Sequence, residues 1–440
     1  MASDWKTAPF IEYLIQPLTN GIYKTKEFHG SGVKIVNMGE LFANPRLYSV
    51  PMKRVQLNEK ELIRSSLLEG DLIFARRSLT AAGAGKCSIV MEVTEPTTFE
   101  SSIIRARPNP KKANSLFLYY LFSSDLGSTL MRSILRQVAV SGIASSDLAL
   151  LPICVPSVDK QSRIAEFLGM LDDRIAMLSH TNATLEAMTQ AMFKSWFVDF
   201  DPVRAKAEGR EPEGMDAATA ALFSCDFQDS MMGQIPSGWE VAPLYGIAEF
   251  SNGAAYKDID FSSNNEGLPV IKIAELKAGV TESTRFTTTY LAERFRIEQE
   301  EILFSWSGNP DTSIDTFIWD GGPAWLNQHI FRVRENGYVP RSWIYIQLKT
   351  LRSVFAETAR DKQTTGLGHV TVADMKRLLV CKPTDEIVLR FDEIAKPILA
   401  RIAANQLAIR KLADLRDTLL PRLISGKLRV PEAEAMLMEV

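Results

Sequence analysis

A chain of 440 residues exceeds one ordinary domain, and its 46% hydrophobic and 23% charged content is that of folded globular protein. No apolar run approaches the roughly 18–20 residues that cross a bilayer, and the first residues lack a signal-peptide pattern, so a cytoplasmic protein with no membrane contact is expected. Cys87, Cys154, Cys225 and Cys381 form no CxxC, and the four histidines are dispersed, which argues against a disulfide framework and against a metal site. The net charge of −3 is unlike that of a free-standing nucleic-acid binder, but it is uneven. Residues 1–156 carry 18 Lys+Arg against 13 Asp+Glu, residues 201–234 carry 3 against 7, and residues 235–383 carry 16 against 18.

In chain order, the first 156 residues mix short β-rich runs such as Asp71-Leu-Ile-Phe-Ala75 with Gly-rich turns. They end in a Pro-bracketed apolar strand at Pro152–Pro156. From Ile164 the apolar residues then step by four and three: Leu168, Leu171, Ile175, Leu178, Asn182 and Leu185 continue to Trp196. This is a heptad seam on a helix over residues 157–200, with Ser157 as the candidate N-cap. Residues 201–234 are polar, acidic and broken by Pro and Gly, and read as a connector.

The rest of the chain repeats this plan. Ser3, Trp5, Ala8 and Pro9 recur as Ser237, Trp239, Ala242 and Pro243. Further on the offset settles at 227, so that Arg105 falls on Arg332 and Cys154 on Cys381. The second mixed block covers residues 235–383. A second helix over 384–428, N-capped by Thr384, carries the seam Phe391, Ala395, Ile398, Ile402, Asn405, Ile409 and Leu412. Residues 429–440 read as a tail. Neither seam can be buried alone, so the two helices are expected to pair. The expected fold is α+β: two pseudo-twofold related mixed domains separated by two long helices packed as an antiparallel coiled coil. Asn182 and Asn405 interrupt apolar seams, which fits either register control or a wet stretch. Trp5 and Trp239 read as core anchors.

Three stretches carry the resemblance to a known family. AMFKSWFVDFDPVRAKAEGREPEGM (residues 191–215, continued by AATAALF at 217–223) resembles the central region of the specificity subunits of Type I restriction–modification systems (HsdS). GQIPSGWEV (233–241) resembles that family's domain opening, and LRDTLLPRLISGKL (415–428) its C-terminal helix end. The resemblance implies two target recognition domains, each reading half of a split site in double-stranded DNA, with the helices as spacer. It also implies docking of two methyltransferase subunits (HsdM) and of restriction/translocase subunits (HsdR). S-adenosylmethionine, ATP and Mg are then expected on those partners and not on this chain.

Base edges are read by donors on exposed loops, and phosphates by basic or hydroxyl side chains. In the first block the candidates are Arg76, Arg77 and Lys86, then Arg132, Arg136 and Gln137. In the second they are Trp306, Asn309, Asn327 and His329, then Arg360, Lys362, Gln363 and His369. Each has a plainer reading as a solvated charge or framework residue. Catalytic residues are not expected. Asn309-Pro310-Asp311 lacks the second Pro and the aromatic of an adenine methyltransferase motif, no phosphate loop is present, and Glu275-Leu-Lys277 is only half of a nuclease motif. The alternatives are a coiled-coil scaffold with two partner-binding ends, or a methyltransferase or nuclease with degenerate motifs.

Overall fold

The computed structural model describes residues 5–80, 83–136, 141–363 and 367–437. Its contacts resolve into two units, residues 1–176 with 410–440, and residues 177–409.

In the first unit, strand Lys6–Pro9 pairs antiparallel with Pro152–Val155, setting Ala8 opposite Ile153. In the second unit, Glu240–Pro243 pairs with Leu379–Lys382, setting Ala242 opposite Val380. The sequence repeat therefore corresponds to one structural device, a strand pair that closes each block on itself.

The first unit holds a five-stranded sheet ordered Thr19–Asn20, Ile103–Ala106, Leu72–Ala75, Cys87–Val90, Arg46–Leu47. A three-stranded sheet orders Lys53–Val55, His29–Val36 and Thr97–Phe99. Leu72–Ala75 is buried at every residue, so it reads as a continuous apolar run without alternation. Phe10, Phe74 and Phe122 meet edge to face, with centroids 4.9–6.1 Å apart.

The second unit repeats the central strands. Ile302–Ser305 lies between Ile330–Arg334 and Asp315–Ile318, with Glu249–Asn252 beyond. Arg105 stands opposite Ile73 in one sheet, and Arg332 opposite Leu303 in the other. Both arginines are buried. Arg105 donates to the Ser66 carbonyl at 2.6 Å and Arg332 to the Arg296 carbonyl at 2.7 Å, while burial pulls both guanidinium pKa values down. They are framework residues of the repeat.

The two long helices span Val158–Phe197 and Asp385–Ile424. They begin one residue after Ser157 and Thr384, whose carbonyls accept the first helical N–H groups. Within the first unit, Leu168 and Leu171 share a core with Leu419 and Leu423. Within the second, Asn182 meets Asn405, and the rings of Phe193 and Phe391 lie 5.4 Å apart. Rising numbers on one helix meet falling numbers on the other, so they pack as an antiparallel pair. Leu178 is buried, and Ile175, Leu185, Ile398, Ile402, Ile409 and Leu412 are half-buried along the seam.

Two stretches without sequence periodicity are nevertheless folded. The connector region contains helices Asp201–Ala207 and Ala217–Leu222 and the hairpin Phe227–Ser230 with Gly233–Pro236. Val203, Phe223 and Ile235 sink into the core around Trp196 and Trp239. The residues read as a tail form helix Val430–Leu437, with Val430 and Ala433 buried in the first unit. Trp5 packs partly buried against Phe117, and Trp239 is buried.

Candidate nucleic-acid interface

In the first unit the fold joins the two candidate segments. Arg77–Ser78 leaves the buried strand Leu72–Ala75 and pairs antiparallel with Ser141–Gly142, Gly142 facing Arg77. A Cβ at Gly142 would sit 2.9 Å from the Arg76 carbonyl oxygen, so this close approach requires glycine. Arg136 bridges to Gly142 from the other side. The arginines then diverge. Arg77 is exposed. Arg76 is half-buried and donates to the Ser101 carbonyl at 3.3 Å. Arg136 is tied to Asp147 at 2.7 Å. Lys86 and Arg132 line one cleft of about 690 Å³ with Asp125, Tyr119 and Met131. The Lys86 ammonium lies 5.4 Å from the Phe42 ring centre. Gln137 lies outside the described residues.

The second unit builds the same ribbon from unlike residues. Ser307–Gly308 pairs with Gly368–His369, Ser307 facing His369. Trp306 fills the position of Arg76. Its backbone N–H donates to the His329 carbonyl, its indole N–H donates to Asn252 Oδ1 at 3.0 Å, and its ring lies 5.6 Å from that of His329. Asn327 Oδ1 accepts the His329 N–H at 3.3 Å, and His329 Nδ1 is buried without a hydrogen bond. Asn309 Oδ1 accepts the N–H groups of Asp311 and Thr312, so its side chain shapes the turn. Arg360 pairs with Asp311 at 2.7 Å, and Lys362 with Asp374. Gln363 and His369 are exposed.

Each unit thus presents a two-stranded ribbon at the end of a buried sheet strand, with donors around it. Carboxylates pair with Arg136, Arg360 and Lys362, and Arg77, Lys86, Arg132, Arg136, Arg360, Gln363 and His369 are all exposed. The two apparent catalytic fragments have structural explanations. Glu275 accepts the Lys272 N–H at 3.0 Å and the Thr284 hydroxyl at 3.2 Å, which caps helix Ile273–Ala278. Asn309 is the turn residue already described. Among the described residues no cluster of His, Cys, Asp and Glu could hold a metal ion, and no helix is long and apolar enough to cross a membrane.

The residues missed in the sequence are those that join a recognition block to a helix. In the first unit the Tyr120 hydroxyl donates to Asp172 Oδ2 at 2.6 Å, Arg416 grips Asp172 Oδ1 at 2.7 Å, and Arg46 pairs with Asp173 at 2.7 Å. Burial and Asp172 push the Tyr120 pKa up, so the phenol remains the donor. In the second unit Lys349 holds both Glu186 and Asp315, at 2.9 and 3.1 Å. Arg416 stands at a seam position between Leu412 and Leu419, whereas the other polar residues sit outside the heptad seam, where no spacing rule selects them.

A framework repeated along the chain, with one ribbon per copy built from different side chains, defines a duplicated recognition protein. Residues 14–187 and 236–398 match the model of the Type I restriction modification DNA specificity domain, and the chain belongs to that family. It is similar to the MjaIX specificity subunit of Methanocaldococcus jannaschii, with 24% identity over 93% of this chain and 90% of that protein. It is also similar to the HindI specificity subunit of Haemophilus influenzae, with 23% identity over 97% of this chain and the whole of that protein. Its fold resembles the crystal structure of the S subunit of a Type I restriction–modification system from M. genitalium, with a TM-score of 0.56, 15% identity, and coverage of 95% of this chain and 96% of that one.

Proposed function

We propose that this chain is the non-catalytic specificity subunit of a Type I restriction–modification complex. It reads a bipartite site in double-stranded DNA with one recognition domain per half-site. The observation that carries this reading is the pair of ribbons: Arg77–Ser78 with Ser141–Gly142, and Ser307–Gly308 with Gly368–His369, occupy equivalent places but offer different side chains. Equivalent scaffolds with unlike reading edges are what two different half-sites require.

The recognition domains are residues 1–156 and 235–383, and the helices over 157–200 and 384–428 are the spacer. The helices and the connector dock two methyltransferase subunits and the restriction/translocase subunits. S-adenosylmethionine, ATP and Mg act on those partners, in the cytoplasm. Because the chain carries a net charge of −3, the partners supply part of the phosphate contact. Footprinting of the chain assembled with its methyltransferase subunits tests this. Two protected blocks flanking an unprotected or weakly protected gap are expected, and a continuous footprint with uniform sequence preference would contradict the split reading.

A further inference from the structure

Besides the framework and the ribbons, the two units share a further segment. Asn20-Gly21-Ile22-Tyr23-Lys24 recurs as Asn252-Gly253-Ala254-Ala255-Tyr256-Lys257, one residue longer, and in both a phenylalanine stands four positions after the lysine, Phe28 and Phe261. Each copy leaves the sheet beside its ribbon. In the first unit Gly21 and Ile22 donate to the Ile103 and Phe99 carbonyls, and the adjoining Ser102 carbonyl accepts the Arg76 N–H at 2.8 Å. In the second unit Ala254 donates to the Leu326 carbonyl, Gln328 donates to Ala254, and Asn252 holds the Trp306 indole.

Part of the motif is explained by packing. A Cβ on Gly21 would lie 2.1 Å from the Glu100 carbonyl oxygen, and one on Gly253 2.3 Å from that of Asn327. Packing does not explain Tyr23, which is 79% exposed, or Lys257, which is exposed as well. Both turns place cations on the phenylalanine. Lys24 sits 4.7 Å from the Phe28 ring centre, and Arg285 and Lys272 lie 3.8 and 5.2 Å from that of Phe261. Tyr256 is half-buried, its ring 5.9 Å from Phe261.

Two domains that read different half-sites must differ where they touch bases, as Arg76-Arg77 differs from Trp306-Ser307. Each domain keeps the Tyr-Lys pair and leaves one of its two donors in solvent beside the reading edge, Tyr23 in the first and Lys257 in the second, whereas Lys24 pairs with Glu61 at 2.8 Å and the Tyr256 hydroxyl is buried. A donor that both domains offer at the same place fits a feature common to both half-sites. The sugar–phosphate backbone is such a feature, and a tyrosine hydroxyl and a lysine ammonium are both phosphate donors. We infer that the Tyr-Lys turns, through Tyr23 in the first domain and Lys257 in the second, are the sequence-independent backbone grip of the two recognition domains, set beside the base-reading ribbons. This rests on the ribbons being the DNA-reading edges.

The test uses the full chain assembled with its methyltransferase subunits, as wild type, Tyr23→Ala and Lys257→Ala. Affinity for a short mixed-sequence duplex is measured over a range of salt concentrations, and the preferred motif is selected from a random duplex pool. Lys257→Ala should bind every sequence several-fold more weakly and flatten the slope of log K against log salt by about 0.9, the loss of one phosphate contact. Tyr23→Ala should weaken binding by a similar factor with the slope kept. Neither should change the selected motif. Wild-type affinity and slope in both variants would overturn the inference, as would a changed half-site, which would make the turn a base reader. Intact DNA binding with lost methyltransferase subunits would overturn it in favour of a protein-docking turn. A wild-type complex that selects no motif would instead sink the proposed function.

Discussion

Asn405 donates from Nδ2 to Oδ1 of Asn182 at 2.8 Å, and Asn182 in turn donates to the Ile402 carbonyl at 3.2 Å. The two asparagines of the heptad seams are therefore each other's partner, with Asn405 buried. Of the two readings open in the sequence, the geometry favours register control, since a one-residue slip would leave both amides unpaired. Asn182→Leu alone should destabilise the chain by about 1–3 kcal/mol, because the Asn405 amide loses its partner inside the seam. Leu at both positions should recover most of that loss. Urea denaturation of the single and double variants measures this, and a double variant as unstable as the single one would refute the pairing argument.

Arg332 should behave as framework, not as a DNA contact. Arg332→Ala strands the carbonyls of Arg296 and Glu293 and should lower stability by about 2–3 kcal/mol. The folded fraction should select the same DNA motif as wild type. Thermal melting and motif selection read the two effects separately.

Gly253→Ala should be more harmful than its size suggests. The added methyl would overlap the Leu326 and Asn327 carbonyls, each 2.3 Å away, and neither is the end of a flexible side chain. A loss of about 1–3 kcal/mol is expected. Gly322→Ala, where no atom lies within 4 Å, should change stability little and serves as control.

Asp216 supplies a pH-dependent tie. It caps helix Ala217–Leu222 by accepting the Thr219 N–H and hydroxyl, and Arg390 of the second long helix lies 3.1 Å away. The Thr219 backbone N–H, the Thr219 hydroxyl and Arg390 hold its pKa at about 2, below the ordinary 3.8. A depressed folded-state pKa stabilises above the unfolded value and loses that contribution as pH falls. Wild type should therefore be more stable than Asp216→Asn at pH 7. The difference should shrink below about pH 4 and vanish near pH 2. A pH-independent difference in urea denaturation would remove the carboxylate from the explanation.

The sequence made the repeat legible because the same strand pairs and seam positions carry it: Ala8 and Ala242 face Ile153 and Val380, and Leu168 and Phe391 are buried on the helices. It made the connector and tail illegible because their apolar residues follow no helical or strand period. Val203, Phe223 and Val430 are buried by residues distant in sequence, so no local period announces them. Ion pairing was hidden for the same reason. Arg360 and Lys362 look alike as loop cations until the fold brings Asp311 and Asp374 to them. The ribbons were half legible: both candidate segments could be named in each block, but only the sheet shows that they pair.

The spacer reading carries its own prediction. One helical turn inserted into either long helix should widen the gap between half-sites and leave the half-site sequences unchanged. Sequencing of protected or methylated sites reads both.

The central claim is that each recognition domain reads its own half of a split site. It is tested most directly by mapping methylated adenines in cells carrying the wild-type chain, and in cells where residues 1–150 are exchanged for the first domain of another specificity subunit. The account predicts two short specific blocks separated by a fixed unspecified gap, with one block altered by the exchange. A continuous motif, or an exchange that alters both blocks, would contradict it.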